Sequence, residues 1–418
     1  MIPLDKQTWA QQYVRGKVGK LTDEKVLFLA QDAVAKMYLV DLTVVVWGIH
    51  QRQDVLSVGG TVYTNKQTKH HGQYEEHKME TDYESISAII NKINKKQNDV
   101  SILRADAMHQ QLERTTTGIL AYDLMLGGGW PANQWSEIIG DESSGKTALA
   151  FKTIAANQAL DPDWTAVWVA AEEFVPDYAK SVGVDLARLW VIETNSMEQA
   201  YNLVIELMKN RAADCIVIDS LPALVPTDES ERMMDEFTVG LGARITSKFF
   251  RKASEAQKRS MTEKERSCTG LMINQWRQKI GVMWGDNRTT PGGLAKNFSY
   301  FVRVEVRRDE WLKEKDEIVG QTIKARTLKN KTYKPSQQAV VDFYFTDALG
   351  FTKGSFDTLK DMINIATVIE VITRSGAYYA YGSQKWQGKD KMLEAFREDL
   401  FMQKELKHDI EEYYKVVR

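Results

Sequence analysis

The feature that most constrains this chain is an eight-residue loop, Gly140-Asp141-Glu142-Ser143-Ser144-Gly145-Lys146-Thr147. It follows an apolar run, Trp135 to Ile139, and opens a helix-like run at Ala148. Glycines at the two ends let the backbone curl until successive N–H groups and the helix N-terminus face one anion. From Gly140 to Ala148 the loop is therefore a candidate phosphate cradle. Lys146 supplies a point charge between the β- and γ-phosphates, and the Thr147 hydroxyl faces Mg²⁺. Such a loop needs a strand before it and a helix after it, so the rest of the chain must complete a sheet covered by helices.

Strand-like and helix-like runs do alternate downstream. Val167 to Ala171, Asp214 to Ile218, Gly270 to Ile273 and Phe301 to Val306 read as buried strands, while Met197 to Lys209 and Val239 to Ala256 have helical period. This order predicts an α/β fold with a central, mostly parallel sheet flanked by helices. Ligands then bind beyond the carboxyl ends of the strands, where Gly140, Glu172, Asp219 and Asn274-Gln275 all fall.

At 418 residues the chain exceeds one typical core. Residues 113–345 read as the main domain and 346–418 as a smaller α+β one, with helical Leu359 to Val371, Lys391 to Lys404 and Glu405 to Val417 around a short sheet near Ala377 to Gly382. Residues 81–112 hold a short amphipathic helix, Tyr83 to Ile93, and a lone strand-like run, Val100 to Arg104. Neither buries itself, so they dock on their own core or add to a neighbouring subunit's sheet edge. Residues 1–80 read as an extension of unassigned role, with a helical stretch Asp23 to Met37 and strands Leu42 to Trp47 and Val55 to Tyr63. Its histidines, His50, His70, His71 and His77, lack cysteine partners or helical spacing and are read as solvated rather than metal-binding.

The 55 basic residues nearly balance the 57 acidic ones, so any nucleic-acid contact must come from local patches. Two cysteines, Cys215 and Cys268, exclude a disulfide framework and fit a reducing compartment. The absence of a long apolar run or signal-like start points to a cytoplasmic protein with no membrane partner.

Hydrolysis at a phosphate loop needs a metal-side carboxylate and a group that aligns water. Asp219, ending an apolar strand, is the natural metal-side acid. Glu172 or Glu173 is placed to polarise water, and residue type does not choose between them. Gln275 is placed to hydrogen-bond the γ-phosphate. The segment behind it, Gln275 to Gly293, is Gly-rich and interleaves Arg277, Lys279 and Arg288 with Trp276, Ile280, Met283 and Trp284. Cations can track a phosphate backbone while apolar side chains stack or wedge between bases.

These motifs carry a family resemblance. Gly140 to Thr147, Ile218-Asp-Ser-Leu-Pro-Ala-Leu224, Ile273-Asn-Gln-Trp-Arg-Gln-Lys-Ile-Gly-Val-Met-Trp-Gly285, Thr289-Thr-Pro-Gly-Gly293 and Lys329-Asn-Lys331 together resemble the bacterial and phage RecA recombinases. The resemblance runs from about Ser101 to Tyr344 and again from Thr373 to Phe396. It implies a RecA-like ATPase core with an N-terminal polymerisation arm and a small C-terminal domain. It also implies ATP and Mg²⁺ as cofactors, DNA-dependent ATP hydrolysis, helical self-assembly on single-stranded DNA, and exchange with homologous double-stranded DNA. By position it makes Glu172 the water-activating residue, Tyr178 the aromatic on the adenine, and Lys329 with Lys331 a pair reaching a neighbour's γ-phosphate.

The family's two DNA loops match Glu231 to Gly240, which includes Val239, and Gln275 to Gly293, which includes Gly292 and Gly293. Arg244, Arg251, Arg307 and Arg308 match positions tied to DNA or to the loop base and equally suit ion pairs. Two departures stand out. Leu294 replaces the usual Asn, and the lysine expected just before Phe298 sits one step early, at Lys296, leaving Asn297 in its place. A ring-forming helicase or translocase of the same fold, or a non-catalytic mediator paralogue, are the competing expectations.

Overall fold

The structure, a computed structural model, describes residues 86–95, 102, 112–231, 240–257, 266–279 and 287–417. It divides into two units, Met1–Lys96 and Gln97–Arg418. In the first, residues 86–95 form a helix with Ile86 and Ile89 exposed. The expected elements before residue 80, and the strand at 100–104 apart from Ile102, lie outside the described residues.

Among the described residues, the second unit contains fifteen strands. A short ribbon pairs β1 (Arg114–Thr115) with β2 (Trp130–Pro131). The main sheet takes β3 (Trp135–Gly140), β4 (Ala166–Ala170), β5 (Leu189–Glu193), β6 (Cys215–Asp219) and β7 (Thr269–Gln275). A second ribbon pairs β8 (Arg277–Gln278) with β9 (Arg288–Thr289). The main sheet is completed by β10 (Val302–Glu314), β11 (Glu317–Asn330) and β12 (Gln338–Tyr344), in the order β12-β11-β10-β3-β7-β6-β4-β5. All neighbours from β10 to β5 run parallel, and β11 and β12 add antiparallel.

Both faces of the parallel part are covered, which explains its unbroken apolar runs. Side chains alternate between faces as the pleat requires. Ala166, Trp168, Ala170, Cys215 and Val217 enter the core beneath the helix Lys146–Leu160. Val167, Val169, Ile216 and Ile218 enter the opposite core, beneath the helices Met197–Lys209 and Leu241–Ala256. Cys215 and Cys268 are buried free thiols.

The smaller domain packs the helices Thr358–Val368, Lys389–Glu398 and Leu400–Val417 around Ile363, Met392, Phe396, Leu406 and Ile410. Its sheet is β13 (Thr373–Ser375), β14 (Tyr378–Tyr381) and β15 (Gln384–Gln387). The last two helices break at Asp399 rather than near residue 404, because the Asp399 carboxylate accepts the Met402 N–H at 2.9 Å. Asp361 ties this domain to the core by accepting the Ala121 N–H at 2.9 Å.

Candidate functional site

The phosphate loop leaves β3 at Gly140 and re-enters helix at Lys146. Gly145 is left-handed, at φ 95°, and a Cβ there would lie 2.4 Å from the Ile323 side chain, so only glycine fits. The loop is braced from β11, where Gln321 Nε2 donates to the Ser143 carbonyl at 3.2 Å.

Strand register brings the other candidates to the same edge. Gly140 pairs with Gln275, and Ala170 pairs with Asp219. The Thr147 hydroxyl donates to Asp219 at 3.0 Å. Ser220 donates to the Glu172 carboxylate, while the Ala171 and Glu172 N–H groups hold the Asp219 carbonyl at 2.9 and 3.2 Å. Ser220 thus steadies the Glu172 carboxylate, whereas among the described residues no such bond holds Glu173; both are exposed.

The electrostatics follow from crowding. Burial, with the nearby Glu172 charge, pushes the Asp219 carboxyl up to about 6, against the Thr147 hydrogen bond and Lys146. Burial also lowers the pKa of Lys146, opposed by Asp219 and Glu172. Its ammonium donates to the Asp141 carbonyl at 2.5 Å.

A cleft of about 560 Å³ opens beside the loop, lined among others by Ser144, Lys146, Thr147, Tyr178, Trp311 and Phe345. Tyr178 meets Phe151 edge-on at 5.5 Å, and burial pushes its phenol up to about 12. Inside the cleft the buried Ser144 hydroxyl has no hydrogen-bond partner, as an anion-binding loop would leave it. The residues therefore fit a nucleoside triphosphate. No cluster of three His, Cys, Asp or Glu stands among the described residues. A divalent ion here would rest on Thr147, Asp219 and the phosphates rather than in an all-protein cage.

Lys329 and Lys331 lie elsewhere. Lys329 is level with Arg303, which is level with Glu137, three residues back along β3 from Gly140. Lys329 Nζ donates to the Asn297 and Phe298 carbonyls at 2.6 and 3.2 Å, and Lys331 Nζ to the Phe298 carbonyl at 3.1 Å. Both cations cap the carbonyl end of the short helix Ala295–Ser299. Burial and the charges of Lys331 and Arg303 bring Lys329 down to about 8.

Of the first DNA-loop candidate, Val239 lies outside the described residues. Arg244 and Arg251 are exposed on one side of the helix Leu241–Ala256, away from buried Phe249, Phe250 and Ala253. In the second, Ile280, Met283 and Trp284 lie outside the described residues, but its base is a hairpin. Arg277 pairs with Thr289, and Lys279 N–H donates to the Asn287 carbonyl at 2.7 Å. Arg277 and Lys279 are exposed. Arg288 is also exposed and has side-chain contacts at the loop base. Its guanidinium donates to Glu305 at 2.6 Å and lies 4.5 Å over the Trp276 ring, whose Nε1 donates to the same carboxylate at 3.1 Å. It staples the loop base. Gly292 (φ 90°) and Gly293 (φ 76°) end the loop. Arg307 is exposed, 3.5 Å from Asp309, and Arg308 stacks on Trp311 at 3.9 Å.

Sequence reasoning missed Gln321, Trp311 and, beneath the loops, Glu137. The last was detectable: a glutamate inside the apolar run Trp-Ser-Glu-Ile-Ile needs a buried partner.

A phosphate loop at the carboxyl edge of a parallel sheet, with an acid and a glutamine on the adjacent strand ends, defines a nucleotide-binding α/β protein. The RecA N-terminal domain family matches residues 84–350 and the RecA C-terminal domain family residues 360–415. The chain is 40% identical to Protein RecA of Aquifex aeolicus over 291 residues, 69% of this chain and 80% of that protein. It is 38% identical to that of Thermus aquaticus over 319 residues, 75% and 89% of the two chains. With that of Acinetobacter baumannii it shares 35% over 332 residues, 78% and 91%. The chain belongs to the RecA family of recombinases. No helix among the described residues is long and apolar enough to cross a membrane.

Proposed function

We propose that this recombinase binds ATP with Mg²⁺ at the Gly140–Thr147 loop, hydrolyses it in response to DNA, and assembles as a helical filament on single-stranded DNA to pair it with a homologous duplex. The observation that carries this reading is the meeting of Lys146, the Thr147–Asp219 pair, Glu172 and Gln275 on one sheet edge, with the Gln275–Gly293 loop leaving from that edge.

When bound, the metal neutralises charge on the β- and γ-phosphates. Lys146 and the loop N–H groups orient the phosphates, and the Ser144 hydroxyl finds its partner there. Glu172, steadied by Ser220, accepts the proton of the attacking water. Tyr178 packs against the base. Gln275 reads the γ-phosphate and passes its presence to the loop, where Arg277 and Lys279 meet DNA phosphates. Lys329 and Lys331 turn to a neighbour's γ-phosphate, a reading supported by their position well back from their own loop. The helix at 86–95, with Ile86 and Ile89 exposed, suits docking on a neighbouring subunit.

The test is electron microscopy of the protein with single-stranded DNA and a slowly hydrolysed ATP analogue, alongside ATP turnover with and without DNA. Helical filaments and DNA-stimulated turnover are expected. Closed rings would favour a translocase, and the absence of stimulation would overturn the proposal.

A further inference from the structure

Below the phosphate loop, a glutamate in β3 collects three donors. Glu137 Oε1 accepts from Lys296 Nζ and from Asn274 Nδ2, each at 2.7 Å, and Oε2 accepts from Arg303 Nε at 2.6 Å. The side chains of Glu137 and Lys296 are fully buried. Lys296 Nζ completes its set on Thr290 Oγ1 at 2.7 Å and Asn297 Oδ1 at 3.0 Å. Three protons meet three acceptors, the condition for keeping an ammonium out of water. Burial lowers the lysine's pKa, and Glu137 opposes that shift.

Each partner belongs to a different working part. Asn274 Oδ1 accepts the Gln275 N–H at 2.9 Å, fixing the backbone of the γ-phosphate sensor. Thr290 stands at the far end of the loop that Gln275 begins. Asn297 and Phe298 supply the carbonyls that hold Lys329 and Lys331. The early lysine thereby gains a physical reason. One residue of a helix turns a side chain by about 100°, so a lysine at 296 points inward to Glu137.

We infer that Lys296 is a positioning residue, which locks Gln275, the end of the DNA loop and the Lys329–Lys331 pair into one unit through Glu137. The inference rests on the function proposed above. In that unit a shift of Gln275 on nucleotide binding is felt by the loop and by the lysines together.

Two variants serve. Lys296→Met removes the charge at similar length and leaves Glu137 paired with Arg303 and Asn274. Thr290→Val removes only the loop-side acceptor, at equal volume, and keeps the question open to test should Lys296→Met fold poorly. Nucleotide affinity without DNA is expected to stay at the wild-type level in both. The ratio of single-stranded DNA affinity in a slow ATP analogue to that in ADP is expected to fall about tenfold in Lys296→Met, within the usual span of coupling between sites. Thr290→Val should lower it in the same direction. Adding Gln275→Ala to Lys296→Met should cause little further loss, since both act on one path. A retained ratio in both variants, or fully additive losses, overturns the inference. A wild-type protein whose DNA affinity ignores nucleotide would instead defeat the proposed function beneath it.

Discussion

Thr147 and Asp219, 72 residues apart in sequence, share a hydrogen bond of 3.0 Å that joins the first turn of the phosphate-loop helix to the end of β6. Asp219→Asn keeps the shape and an acceptor but removes the charge. Nucleotide affinity measured with Mg²⁺ should fall about tenfold or more, as loss of a charged hydrogen-bond partner costs about 1.5–3 kcal/mol. Affinity in chelator should change little. Because the Asp219 carboxyl is raised to about 6, the wild-type Mg²⁺ effect should fade as pH drops through that value. A Mg²⁺ effect unchanged in Asp219→Asn would show that the metal is held elsewhere.

Lys146 and Glu172 should separate binding from chemistry. Lys146→Ala is expected to abolish nucleotide binding, since the cation acts on phosphates in ground and transition states alike. Glu172→Gln should bind normally and lose turnover by about 10²–10⁴-fold, the usual yield of a positioned general base. Near wild-type turnover in Glu172→Gln would move the role to Glu173.

Lys329→Ala and Lys331→Ala should lower ATP turnover only in the DNA-bound assembly. Mixing either variant with Lys146→Ala protein should restore part of it at interfaces that join the intact halves. In the isolated chain Lys329 sheds its proton as pH rises through about 8, and a neighbour's γ-phosphate would raise that value, so assembly with nucleotide near that pH should take up protons. Absence of restoration in mixtures proven to co-assemble would place both lysines in cis.

In the loop proposed to meet DNA, Arg277→Ala and Lys279→Ala should each weaken single-strand binding for every sequence and reduce the salt slope by about 1. Arg288→Ala should leave that slope nearly intact and instead loosen the hairpin, because its partners are Glu305 and Trp276. Amide exchange at Lys279, which donates to Asn287, reports the difference.

Asp361 offers a stability test away from the site. Burial, then the charges of Asp357 and Asp123, raise its carboxyl to about 7 while it caps Ala121. The folded state thus holds this proton more tightly than the unfolded chain. Its contribution is present at low pH and is lost as pH rises from the ordinary value of 3.8 through about 7. Asp361→Asn should flatten the pH dependence of the melting temperature across that window. An identical profile in wild type and variant would sink the assignment.

The parallel half of the fold was legible because β3, β4, β6 and β7 are buried on both faces and therefore read as unbroken apolar runs. β11 was not. It alternates Ile323, Ala325 and Thr327 with Lys324 and Arg326, since only one of its faces is covered. β5 was missed for a related reason: Trp190 and Val191 are exposed at the sheet edge. In the candidate site, strand-end acids and the loop declared themselves through type and position. Lys296 appeared in the sequence only as an irregularity, because its meaning depends on Glu137, 159 residues away in the chain. The Arg288–Glu305 contact was not legible, because it joins the loop base to a strand that follows it in the chain.

β11 touches the phosphate loop through Gln321 and holds Lys329 eight residues further along. At a rise of about 3.4 Å per residue, those positions are roughly 27 Å apart. If the lysine serves the next subunit's nucleotide, one stiff strand is the ruler between consecutive ATP sites. The axial step and twist of the polymer would then be fixed largely by covalent geometry, and adjusted by which way the ends of that strand lean.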